Sequence, residues 1–179
     1  MDSSAKLAGH AIHQQLIVLP LGLLATAVVF DLLRLSTGNA DFATASYLMI
    51  AAGVLGGLLA AVFGFIDYLA VPAGTRAKRV GAVHGVGNVV VVVLFAASWL
   101  LRAAETDHVA TGLALGLALA GAALALLTGW LGGELVGRLG VGVDDDAELD
   151  ARPSFTTGIQ LGRRDAAAVR SPAPPSYGS

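Results

Sequence analysis

Cysteine is absent from all 179 residues. That excludes disulfides, thiolate metal sites, iron–sulfur clusters and cysteine nucleophiles. Charge is nearly as scarce. Asp, Glu, Lys and Arg make up 13% of the chain, against about 25% in an ordinary soluble domain. The net charge of −2 offers no basic surface for nucleic acid. No Walker loop, dinucleotide fingerprint or serine-nucleophile elbow occurs either. Gly85-Val86-Gly87 lacks the further glycine such a fingerprint needs, and it lies inside an apolar run. What fills the chain instead is 55% hydrophobic residues, with a mean hydropathy of +0.73.

The missing charge is concentrated in four stretches that hold no Lys, Arg, Asp or Glu: Leu7 to Phe30, Phe42 to Ile66, Val80 to Leu101 and His108 to Gly133. A helix crosses the hydrocarbon core with about 20 apolar residues. The sequence therefore predicts a polytopic, all-α membrane protein with spans near 14–35, 42–69, 80–101 and 109–136. The first span is too long, and has too many successors, to be a cleaved signal peptide. Links this short allow only antiparallel neighbours, so the expected architecture is an up-down four-helix transmembrane bundle. The run Val89 to Val93 has strand-like composition. An open sheet leaves its edges unsatisfied in lipid, and no period-two alternation suggests a barrel.

Residues 1–13 form a short polar N-terminal segment, and 144–179 differ in kind from the spans. The latter open with Asp144-Asp145-Asp146, Glu148 and Asp150 and nearly close with Ser171-Pro172-Ala173-Pro174-Pro175. With few bulky apolar residues to bury, this acidic, Pro-rich tail is expected to be disordered. Near the span ends, Lys6, Arg76, Lys78, Arg79 and Arg138 lie on the side of both termini, against Arg34 and Arg102 opposite. By the positive-inside rule both termini are cytoplasmic.

Small residues mark packing faces where lipid gives helices no hydrophobic reason to associate. Gly53, Gly56, Gly57, Ala60 and Gly64 form one such stripe in the second span. Gly81 with Gly85, and Gly112 with Gly116, repeat the spacing, with plain glycine abundance as the competing explanation.

Antiparallel threading gathers one polar candidate from each span at the end that holds both termini: His13, Asp67, His84 and Glu134. His10 precedes the first span, and Asn88 lies one turn beyond His84. Two imidazoles on facing helices can hold a haem iron. Imidazole with carboxylate can hold a divalent metal, and ionisable groups near a membrane can relay protons. The purely structural alternative carries equal weight, because Asp67 and Glu134 can pair with Arg76, Lys78, Arg79 or Arg138 at the interface. His84, about 7 Å inside its helix start, is the hardest to assign to the surface. At the other end, Asp31, Arg34, Asp41, Arg102, Glu105, Asp107 and His108 read as ordinary interfacial charges, with Asp31 placed to pair with Arg34. Tyr47 and Trp99 read as an aromatic belt there, and Tyr68 with Trp130 as one at the cytoplasmic end.

Gly9-His10-Ala11-Ile12-His13, Leu19-Pro20-Leu21-Gly22-Leu23, Gly64-Phe65-Ile66-Asp67-Tyr68 and His84 with Asn88 resemble an uncharacterised bacterial membrane family, domain of unknown function 2231. The most specific part is Gly129-Trp130-Leu131-Gly132-Gly133-Glu134-Leu135-Val136 followed by Gly140-Val141-Gly142-Val143, and the similarity spans about 9–143. Ala11 and Gln14 replace the family's usual prolines, and Leu139 replaces a frequent histidine, so any role of that histidine is lost. Some relatives carry a Rieske iron–sulfur domain on the C-terminal side. The resemblance thus implies a bacterial inner-membrane location and electron transfer, with a separate redox partner here, and adds weight to His10, His13, Asp67, His84 and Glu134.

The resulting expectation is a membrane protein holding a redox or metal centre near its cytoplasmic face. His13 and His84 are its ligands, Asp67 and Glu134 are further ligands or partners of the imidazoles, and Asn88 is a supporting residue. Haem b is the first cofactor expected and a divalent metal the second. The alternatives are a non-catalytic subunit of a membrane complex, a homo-oligomer included, and an ion- or proton-handling subunit. Only Thr26 and Ser98 place polarity mid-span, which argues against the last. No catalytic constellation argues for an enzyme.

Overall fold

The computed structural model describes residues 1–151 and 160–161. Four helices are long and apolar enough to cross a membrane. A small strand pair, β1 (Ala5–Leu7) and β2 (His10–Ala11), leads into α1 (Ile12–Leu16) and α2 (Val18–Thr37). Then follow α3 (Asp41–Ala70), α4 (Arg76–Ala103), a 3₁₀ turn (Thr106–His108), α5 (Gly112–Gly137) and β3 (Gln160–Leu161). β1 pairs antiparallel with both β2 and β3.

Local chemistry explains the boundaries. Pro20 has no N–H for the carbonyl of Leu16, so the helix breaks between α1 and α2 at Ile17. Gly38, with φ of 74°, closes α2 in the left-handed conformation that a Cβ would strain. Thr75 and Thr111 cap α4 and α5, their hydroxyls accepting from the N–H groups of Lys78 and Ala114. The valine run 89–93 lies within α4. Its backbone bonds stay inside the helix, as lipid demands.

Leu24, Ala27, Ile50, Val91, Phe95 and Ala118 form the core where all four long helices meet. The outer faces are apolar: Val18, Leu55, Val86, Leu126 and Trp130 are all exposed. Such a surface suits lipid and not water. The stripe on α3 is a packing face. Gly53 meets Leu24, Gly56 meets Pro20, Gly57 meets Val92 and Gly64 meets His13. Gly81 likewise meets Tyr68, whereas Gly85, Gly112 and Gly116 face open space.

The two hairpins repeat one another. His84 follows His13 by 71 residues, Phe95 follows Leu24 by 71, and Arg102 follows Asp31 by 71. In the returning helices Gly121 follows Gly53, Thr128 follows Ala60 and Gly132 follows Gly64, each by 68. A Cβ on Gly53 would lie 2.7 Å from Leu24, and one on Gly121 would lie 2.9 Å from Phe95. The same large-on-glycine contact thus closes both hairpins. They run in the same direction through the bundle, so a repeat axis would lie along the membrane normal.

The polar segment at the start is ordered. Lys6 is buried, pairing with Asp144 at 2.5 Å and with Asp2 at 3.4 Å. Asp145 N–H donates to Asp2. Asp144 and Asp145, at the beginning of the acidic segment, are therefore drawn onto the N-terminal residues by charge. Residues 146–151 of the expected disordered tail are exposed, and the rest of it, apart from β3, lies outside the described residues.

Candidate functional site: a histidine pair in the bundle

His13 and His84 come together. Their ring centroids are 6.5 Å apart with the planes nearly perpendicular, at 87°. The two hairpins hold them by the same device. His13 Nδ1 lies 2.9 Å from the Ala60 carbonyl, and His84 Nδ1 lies 2.9 Å from the Thr128 carbonyl. A carbonyl only accepts, so each Nδ1 carries a proton, and in the neutral ring Nε2 keeps its lone pair. A glycine four residues beyond each carbonyl makes room for the ring. A Cβ on Gly64 would lie 2.7 Å from His13 Cε1, and one on Gly132 would lie 3.1 Å from His84 Cε1.

The pair is not symmetric. Asn88 Nδ2 lies 3.2 Å from His84 Nε2 and donates to the His84 carbonyl at 2.9 Å. Its Oδ1 accepts from Thr128 Oγ1 at 3.1 Å. The corresponding positions in the first hairpin are Ile17 and Ala60, which offer no such groups. His13 Nε2 accordingly has no hydrogen-bond partner among the described residues.

The carboxylates are engaged elsewhere. Asp67 Oδ1 accepts from Ser3 Oγ at 2.7 Å and from Ser4 N–H at 2.8 Å, which straps the N-terminal segment to α3. Glu134 pairs with Arg76 at 2.8 Å, the interfacial pairing that its position at a span end suggested. His10 is exposed on β2. Among the described residues no group of three or more His, Asp or Glu is placed to share a metal ion.

A haem does not fit these residues as they stand. A macrocycle between the two rings would have to part α3 from α4. Those helices touch on both sides of the histidine level, Val92 against Gly57 and Tyr68 against Gly81. The space left by Gly64 and Gly132 is filled by the imidazoles themselves.

A second polar centre lies at the opposite end, and it corrects the reading of Asp31 and Arg102 as ordinary interfacial charges, while Asp41, Glu105 and Asp107 are exposed. Arg102 is 0% and Asp31 4% exposed. Arg102 Nη1 and Nη2 donate to the two Asp31 oxygens at 2.6 and 2.7 Å. Nη1 also reaches Ser46 Oγ at 3.2 Å, and Nε reaches Ser98 Oγ at 3.2 Å. Ser98 donates in turn to the Ala114 carbonyl at 2.7 Å. Asp31 thus pairs with Arg102 of the other hairpin and not with Arg34 on its own helix. Helical spacing favoured Arg34, but only Arg102 occupies the position equivalent to Asp31 in the repeat. The 71-residue offset was the signal that could have found it. Beside this pair, Tyr47 stacks between Trp99 at 5.6 Å and His108 at 3.9 Å, so the expected belt residues form a three-ring stack. Trp130, by contrast, is 68% exposed, as a belt residue should be.

No curated protein and no solved structure matches this chain. One family model does match, over residues 9–145, which takes in both hairpins, the histidine pair and the Asp31–Arg102 pair. The chain belongs to the predicted membrane protein family DUF2231.

Proposed function

We propose that His13 and His84 form a two-imidazole centre that holds a single transition-metal ion and serves electron transfer. The observation that carries the reading is the pair of Nδ1–H bonds to main-chain carbonyls. Metal-binding histidines characteristically donate one ring N–H to such an acceptor, which orients the ring and leaves the other nitrogen for the ion. Imidazole suits copper, zinc, iron and nickel, and copper heads the affinity order. A bound copper ion would supply one-electron redox chemistry. His13 would present Nε2 directly, and His84 would do so once Asn88 turns away. A single ion needs no slot between α3 and α4, which is why it is preferred to haem b. The centre faces the side with five basic residues, cytoplasmic by the positive-inside rule, and passes electrons to a separate partner.

A second reading is a non-catalytic subunit of a membrane complex. The bonds of Asp67 to the N-terminal segment and of Glu134 to Arg76 favour it, because they use these carboxylates to fix the fold.

Purification in mild detergent separates the two. The metal-centre reading predicts a copper resonance in the electron paramagnetic spectrum after oxidation, lost in His84→Ala. A silent, metal-free protein that travels with another membrane protein supports the subunit reading and overturns the first.

A further inference from the structure

A small cavity lies beside the Asp31–Arg102 pair, lined by Asp31, Arg34, Leu35, Ala43, Ala110 and Leu115. Its volume is about 20 Å³, room for one water-sized guest. Arg34 Nε is buried and makes no hydrogen bond among the described residues. A buried N–H without an acceptor is costly, and more so on a charged group. The nearest carboxylate on its helix, Asp31, already gives both oxygens to Arg102. The three charged groups therefore leave one positive charge over, at the wall of a small, partly open space.

We propose that this cavity binds a small monovalent anion of halide size. Arg34 Nε–H is the donor that meets it, and the uncompensated guanidinium supplies the attraction. The volume suits a single small ion and is too small for sulfate or an organic anion. Asp31 is held neutral in effect by its two bonds to Arg102, and so does not repel the guest. This site is separate from the histidine pair and stands whether or not that pair holds a metal.

The test is thermal unfolding of the whole chain in mild detergent, at constant ionic strength, with chloride or bromide exchanged for gluconate or sulfate. The proposal predicts a Tm that climbs with halide concentration and is flat in the large anions. Arg34→Gln should abolish the halide dependence. Should that variant fail to fold, Ala110→Leu fills the cavity while keeping Arg34, and should abolish it equally. A Tm indifferent to halide overturns the proposal, since the guest is then water. A halide dependence that survives in the folded variants overturns it as well.

Discussion

Arg102 is the residue whose environment departs furthest from what its position in the chain suggests. It ends an apolar run, where a long basic side chain ordinarily reaches outward to the headgroups. Here it turns inward because Asp31, Ser46 and Ser98 together satisfy its guanidinium. A buried ion pair is not a large source of stability, but breaking one is expensive. Arg102→Leu or Asp31→Asn should therefore cost about 3–5 kcal/mol, read as unfolding in mixed detergent, because each strands a buried partner. The double variant Asp31→Leu/Arg102→Met should recover most of that loss, since neither partner of the pair is left stranded. His13 and His84 were legible as residues because histidine is rare in an apolar chain and helix order alone puts them at one end. The bonding of Asp31, Asp67 and Asn88 was not legible. Which of several nearby groups a side chain selects depends on helix rotation and on a folded-back N-terminal segment, and neither is visible in composition or spacing.

Among the elements, α3 and α5 act as grooves for the histidine-bearing helices. Four spans and their antiparallel order followed from length and hydropathy, because the bilayer allows few other solutions. The repeat did not emerge from the sequence. Between the hairpins, shared apolar character hides the few positions that match, among them His13 with His84 and Gly64 with Gly132. The glycine stripe on α3 was readable as packing, but not as the seat of a ring. Gly64→Ala should prove more harmful than an ordinary overpacking change, because its Cβ would displace His13. Overpacking costs about 1–3 kcal/mol, and this variant should fall at the upper end. Gly116→Ala, facing open space, should be neutral or slightly stabilising by helix propensity. A pair of thermal melts checks both.

For the whole molecule, the paired hairpins place two different polar centres at opposite ends, with an apolar core between them. Leu24, Ile50, Val91 and Phe95 close the interior between Asn88 and Ser98. No continuous polar path crosses the core among the described residues. The absence of cysteine makes topology directly measurable. Single cysteines at Asn39 and Thr75 lie in loops at opposite ends. In intact cells a membrane-impermeant maleimide should label Asn39→Cys and leave Thr75→Cys unlabelled until the membrane is opened. The reverse pattern would place both termini outside. The central claim is that the two hairpins bring His13 and His84 to one ion, and copper titration of the purified chain by calorimetry tests it most directly. The account predicts one ion per chain, lost in either His13→Ala or His84→Ala and kept in Asp67→Asn and Glu134→Gln. Binding that survives the loss of both histidines, or no binding in the intact chain, would contradict it.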